Sequence, residues 1–365
     1  MKPRYLFIDD EVGAPTKAWL DGFNDTGLIQ VESLTLDAVE TFDSLNEKIQ
    51  KEYAANELNG ILIDLCLDGT GANSLRFKAP PVAQQVRFLA SERKISHLPI
   101  VLCSTNDKKS IYDSDKACHD LFDYYFNKTD INYNKESCRL LSLAKGYQLL
   151  NKTDVTVCDV LGRPDIETLD SKIIDYLSSS QFSTFVISQR ILKDIIQYQG
   201  ILITERVVAA RLGVDIEKSV GAWERLREAV WSVAAYNGTF ASGWKRYWTD
   251  QFNDFFLNLS EGTPYQILTA SERIDVLKKA GFDKLVAAKP IRFNHSTYYN
   301  TICCYSRCPL DSMEGIPIGD SMSLKPWQEN SYVSFYHVTN GDFKEEYLGH
   351  VGKERVAEIK ERLRG

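Results

Sequence analysis

Two spacings of apolar residues take turns along the first 150 residues. The runs "YLFI", "GLIQVESLTL", "GILIDLCL", "LPIVLCS" and "YYF" have the length and apolar character of strands. Each gives way to a stretch with apolar residues three and four positions apart, the spacing of an amphipathic helix. These stretches are "PTKAWLDGF", "DAVETFDSLNEKIQKEYAAN", "PPVAQQVRFLASERK", "DKKSIYDSDKACHDLF" and "KESCRLLSLAKGYQLL". Strand and helix in strict alternation predict an α/β domain, a doubly wound (βα)5 parallel sheet covered on both faces.

After "KGYQLLNKTDVTVCDVLGRPD" the alternation stops. Helical spacing dominates from Ser171 to about Lys284, with "SSSQFS" as a loop or hinge, and shorter strand-like runs follow. The pattern predicts a first domain over residues 1–150 and a second over 151–365, mostly helical and then mixed α+β, with a further division near residue 285. Asn340-Gly341 predicts a hairpin turn between two strands, and "GKERVAEIKERLRG" a charged closing helix. Trp223 and Trp231 stand eight apart and Trp244 and Trp248 four apart, so each pair shares a helical face. Core packing is the expected role of these rings, and a partner surface the alternative.

In parallel sheets, sites form beyond the carboxyl ends of the strands. Those ends carry Asp9, Asp10 and Glu11 on the first strand, Asp64 on the third, Ser104 and Thr105 on the fourth, and Lys128 on the fifth. Like charges at the end of a buried strand cost stability unless a cation offsets them. Bunched carboxylates suit Mg²⁺, which takes oxygen ligands and keeps several waters. A lysine and a hydroxyl beside that ion could hold the oxygens of a phosphoryl group. Asp64 is then free to act as a nucleophile, forming an aspartyl phosphate.

The stretches "LFIDDE", "ILIDLCLDG", "PIVLCST" and "DYYFNK" resemble, in order and in role, those of a response-regulator receiver domain, the chemotaxis-regulator fold. The resemblance covers residues 1 to about 150. It implies that Asp64 is the phosphoacceptor, that Asp10 binds Mg²⁺ directly and Asp9 through water, and that the Cys66 backbone carbonyl is a further metal ligand. Ser104 and Lys128 would each hold a phosphoryl oxygen. Tyr125 falls where the family has its switch aromatic, which turns inward on phosphorylation. The chain departs from the family in several places. Ser104 replaces a commoner threonine, Thr129 a usual proline after the lysine, and Asp68 a usual proline after the acceptor. The segment "DGTGANSLRFKAPP" and the helix before the third strand are longer than the family's, on the face where partners dock.

The second half offers fewer signals. "ITERVVAARLGVDIEKSVGAWERLREA" has the outline of a helix-turn-helix about Gly213. Its second helix carries as many acidic as basic residues, whereas phosphate contacts need net positive charge. The turn is equally explained as a helix C-cap. His295, Cys303, Cys304 and Cys308 could ligand zinc, but without a C-x-x-C knuckle "YYNTICCYS" reads better as a strand. No P-loop, nucleophile elbow, H-E-x-x-H, kinase or cyclase signature is present, so no separate enzyme domain is expected.

A formal net charge of −7, most of it in the first half, advertises no nucleic-acid field. No apolar run approaches the roughly 20 residues of a membrane span, and the first strand leaves no room for a signal peptide, so a cytoplasmic location with reduced thiols is expected. The sequence thus predicts a two-component signalling protein whose partner is a cognate sensor histidine kinase. Its output would run through protein contacts of the second domain, with a second response regulator or effector as partner, and a homodimer is left open. One alternative is a phosphate sink that buffers a kinase, an arrangement similar to receiver proteins of Detocs-type anti-phage systems, though no motif carries that likeness. The other is a DNA-binding transcriptional regulator.

Overall fold

The computed structural model describes residues 2–10, 13–34, 41–67, 78–105, 120–178, 182–319 and 323–364. Five strands form one sheet: β1 (Arg4–Ile8), β2 (Gln30–Ser33), β3 (Leu58–Asp64), β4 (Ile100–Ser104) and β5 (Tyr124–Asn127). All pairings are parallel and the order is β2-β1-β3-β4-β5. This is one of the two common doubly wound orders. Among the described residues four helices accompany the strands: α1 (Ala14–Asn24), α2 (Phe42–Asn56), α3 (Ala79–Ser91) and α4 (Tyr133–Leu150). The helix read in "DKKSIYDSDKACHDLF", the segment "DGTGANSLRFKAPP" with Asp68, and Glu11 lie largely or wholly outside the described residues.

Side-chain alternation along β1 separates two layers. Leu6 and Ile8 join an aliphatic layer with Leu45 and Ile49 of α2 and Val82 and Val86 of α3. Phe7 faces the other way, stacking at 4.8 Å on Trp19 of α1, while Phe23 meets Tyr133 of α4 edge-on at 5.2 Å. The Tyr5 hydroxyl donates to the Leu140 carbonyl of α4 at 2.7 Å. Local signals set the helix starts: Pro15 in the first turn of α1, a Thr41–Ser44 capping box on α2, and Asn132 capping α4.

The chain divides into two compact units, Met1–Leu192 with Asn237–Trp244, and Lys193–Tyr236 with Lys245–Gly365. Beyond α4 the first unit adds the helices Val157–Leu161, Ser171–Leu177 and Thr184–Gln189. The Asn237–Trp244 segment packs within this unit. Thr239 donates to the Val160 carbonyl through its N–H and its hydroxyl, at 2.8 and 2.9 Å. Phe240 lies over Gly146 of α4, where any Cβ would run into its ring. Trp244 meets Tyr124 edge-on at 5.5 Å.

The second unit is mostly helical and then mixed, as the pattern predicts. Helices Glu205–Leu212, Ile216–Ala234, Thr249–Leu259 and Ala270–Lys279 enclose one core. Arg273 is fully buried there and donates to the carbonyls of Tyr265, Arg211 and Tyr299 at 3.0, 3.1 and 2.7 Å. Small antiparallel pairs follow, among them Gly315–Ile318 with Ser331–Ser334, and the chain closes on helix His350–Arg364.

Three expectations need correction. Asn340-Gly341 is no hairpin turn: it ends the helix Phe335–Thr339, with Gly341 at φ 82° and the Phe343 N–H donating back to the His337 carbonyl at 3.1 Å. A glycine at positive φ serves a helix end as well as a hairpin, and the strand Ser331–Ser334 finds its partner upstream instead. Trp244 and Trp248 are buried as expected but do not share a helix: Phe240 turns the chain at φ 68°, and Tyr247–Trp248 is a strand paired with Leu202–Ile203. Of "YYNTICCYS", only Thr301–Ile302 is strand.

Candidate functional site

The register of the sheet brings the strand ends together. Ile8 pairs with Ile63, Asp64 with Cys103, and Ser104 with Asn127, so the residues that follow or close each strand meet at one edge. Asp9, Asp10, Asp64 and Ser104 are 5%, 6%, 2% and 0% exposed, so charge placed there is poorly screened.

Lys128 links the acids. Its Nζ donates to Asp9 Oδ2 at 2.7 Å and lies 2.8 Å from Asp64 Oδ1. Its backbone N–H donates to the Ser104 carbonyl at 2.9 Å, which extends the β4–β5 ladder by one bond. Thr129 then closes a tight turn, donating through N–H and hydroxyl to the Asn127 side-chain carbonyl at 2.9 and 2.6 Å. The ammonium also stands 5.0 Å from the Phe7 ring centroid and 5.9 Å from that of Trp19. Burial alone would lower the Lys128 pKa. The Asp64 and Asp9 carboxylates outweigh it, so the pKa is raised and the lysine stays charged. Burial pushes the neighbouring Cys103 thiol well up, so it stays protonated.

Asp64 Oδ2 accepts the Cys66 backbone N–H at 3.0 Å, which fixes the carboxylate plane. The Ser104 hydroxyl is fully buried and has no hydrogen-bond partner among the described residues. Such orphans are rare in folded proteins and mark a group that a ligand would satisfy. Tyr125 is half-buried against the aliphatic layer, with its hydroxyl oxygen shielded from solvent. Among the described residues, no three His, Cys, Asp or Glu side chains are disposed to hold a metal ion by themselves. A cation here would draw on carbonyl and water oxygens as well as carboxylates, as Mg²⁺ does.

No protein-family model matches the sequence, and no curated protein matches it. Solved structures do match, among them response-regulator proteins. A response regulator from Thermotoga maritima is 9% identical, with 40% of this chain and 99% of that one covered and a TM-score of 0.26. The receiver domain of Ssk1 from Saccharomyces cerevisiae, crystallised with the histidine phosphotransfer protein Ypd1, is the subject of a second match. It shows 15% identity, 42% and 94% coverage and a TM-score of 0.28. RcsB from Salmonella enterica, bound to promoter rprA with the phosphomimetic BeF3⁻, shows 14% identity, 62% and 99% coverage and a TM-score of 0.25. Scores this low carry no weight beside the strand order and the helices that flank it. The first unit has the receiver fold.

Sequence reasoning missed what holds the far end of β5 in this unit. Asp123, 2% exposed, accepts from Arg87 Nη2 at 2.7 Å, the Tyr147 hydroxyl at 2.6 Å and the Ile100 N–H at 2.8 Å. Ser188 and Gln189 add hydrogen bonds at 3.2 and 3.0 Å. Asp123 therefore ties α3, α4 and the helix Thr184–Gln189 to the strand that carries Tyr125 and leads to Lys128. The signal in the sequence was an acid set between Phe122 and Tyr124, where an apolar strand begins.

The remaining candidates lie in the second unit. Gly213 caps its helix at φ 72°, as the C-cap reading expects. The following helix exposes Glu217, Glu224 and Glu228 beside Lys218 and Arg225, a face without net positive charge. His295 Nδ1 stands 3.2 Å from Glu314, and the buried Cys303 sulfur accepts the Ser334 N–H at 3.3 Å, so these two groups already have protein partners.

Proposed function

We propose that the N-terminal unit is a working receiver that accepts a phosphoryl group on Asp64 from a phosphohistidine donor, a sensor kinase or a histidine phosphotransfer protein. One observation carries the reading: Lys128 bridges Asp9 and Asp64 beside a buried Ser104 hydroxyl that lacks a protein partner among the described residues. A purely structural ion pair would have no need of that orphaned donor.

Mg²⁺ fits by donor chemistry, since the Asp9, Asp10 and Asp64 carboxylates and the Cys66 carbonyl are hard oxygens. Bound there, it would supply positive charge against the phosphoryl oxygens. The chain's own groups do the rest. The Asp64 carboxylate, held by the Cys66 N–H, attacks phosphorus in line with the bond to the donor imidazole. The O–P bond forms, the N–P bond breaks, and the imidazole keeps the electron pair and takes up a proton. Lys128 and the Ser104 hydroxyl hold oxygens of the transferring group. Phosphorylation draws Lys128 towards the new dianion and so changes the turn at Asn127–Thr129 and the strand that carries Tyr125. A few kcal/mol of differential stabilisation is enough for such a switch.

Output through protein contacts of the second unit fits its charge better than DNA binding does, because the helix after Gly213 exposes more acids than bases. A phosphate sink needs only the receiver chemistry, and a short acyl-phosphate lifetime would favour it.

Intact mass after incubation with acetyl phosphate and Mg²⁺ tests the reading. The expected result is one added phosphoryl group, lost with EDTA and absent from Asp64→Asn. No adduct from acetyl phosphate or from a phosphorylated histidine donor would end it.

A further inference from the structure

Four segments of the second unit surround a cavity of about 270 Å³. They are the helix Glu205–Leu212, the start of the helix Ile216–Ala234, the stretch at Ala288–Lys289 and the segment Ser306–Pro309. Their charges do not balance. Asp215 is committed locally: its carboxylate accepts the Lys218 N–H at 3.1 Å and pairs with the Lys218 ammonium at 2.5 Å. That leaves Arg206, Lys289 and Arg307 facing Glu217. None of these three cations has a hydrogen-bond or ion-pair partner for its side chain among the described residues. Basic side chains gathered round one cavity repel each other, and they do so here on a chain of net charge −7.

A second observation points the same way. Ser306 lines the same cavity, and its hydroxyl oxygen is shielded from solvent with no hydrogen-bond partner among the described residues. The turn that presents Ser306 and Arg307 is fixed by the Arg307 N–H on the Cys303 carbonyl and the Cys303 N–H on the Cys308 carbonyl, each at 2.8 Å. A ligand that relieved both costs would be an anion with several acceptor oxygens. Phosphate chemistry meets that need. Val214, Ile216 and Ala288 give the cavity an apolar side, and its volume limits the occupant to something smaller than most drug-sized ligands.

We propose that this pocket binds a small phosphorylated molecule, with Arg206, Lys289 and Arg307 on the phosphate oxygens and Ser306 donating to one of them. The site is separate from the Asp64 chemistry and stands without it.

Calorimetric titration of the full chain with inorganic pyrophosphate, without Mg²⁺ and at fixed ionic strength, tests the proposal. Saturable binding is expected, unchanged in Asp64→Asn. The double variant Lys289→Ser/Arg307→Ser should weaken it about tenfold or more, and Ser306→Ala by a smaller factor. Both cations are exposed, so the double variant should fold, and circular dichroism checks that it does. Absence of saturable binding, binding that survives in the double variant, or binding lost in Asp64→Asn would each overturn the assignment.

Discussion

Asp123 shows how much a single side chain can hold. Its carboxylate gathers five donors while 2% exposed, and one of them is the Arg87 guanidinium, itself 10% exposed and stacked at 3.8 Å on Phe185. Removing one partner of a buried ion pair strands the other charge, typically at about 3–5 kcal/mol. Asp123→Ala should therefore lower the stability of the first unit by about that much, read as a fall in its urea midpoint. Asp123→Asn should recover only part of the loss, since an amide cannot neutralise Arg87. A change under about 1 kcal/mol would mean that Arg87 finds another acceptor. The acids at the strand ends were legible in the sequence because a parallel sheet gathers them by topology alone. Asp123 was not, because its partners come from helices far apart in the chain. The same holds for Phe7 and Trp19, which flank Lys128 yet look like ordinary core residues.

At the level of elements, helix α4 illustrates two opposing effects. Alanine is favoured over glycine inside a helix by about 1 kcal/mol, so propensity alone predicts that Gly146→Ala stabilises. The position is instead set by the Phe240 ring, which is 2% exposed and lies where the new methyl group would go. Overpacking of this kind typically costs about 1–3 kcal/mol. Gly146→Ala should thus lower the melting temperature of the first unit, and the paired variant Gly146→Ala/Phe240→Leu should regain part of the loss. A rise with Gly146→Ala alone would show that Phe240 seats elsewhere. Strands and helices of the sheet were readable because apolar period and local caps agree. Asn340-Gly341 and the Trp244–Trp248 spacing misled because one residue pattern satisfies two backbone paths, and tertiary partners chose between them.

At the scale of the whole molecule, the sequence pattern places a boundary at residue 150, but the compact unit uses Thr184–Gln189 and Asn237–Trp244 as well. A fragment of residues 1–150 would lack Ser188 and Gln189 at Asp123 and would uncover Tyr147 and Tyr124 where Phe240 and Trp244 pack. It should melt well below the first unit of the full chain and bind hydrophobic dyes, while a fragment ending at 192 should recover the Asp123 contacts only. Equal melting temperatures for the short fragment and the full chain would show that the added segments do no stabilising work. The path of the chain also bears on synthesis. A compact unit of contiguous sequence would ordinarily fold as soon as it leaves the ribosome. Here the piece that covers α4 is encoded after a long stretch of the second unit. The first unit can form its sheet early, but it reaches its final packing only once residue 244 has emerged. Until then Tyr124 and Tyr147 remain exposed apolar surface, open to whatever chaperone waits at the tunnel exit.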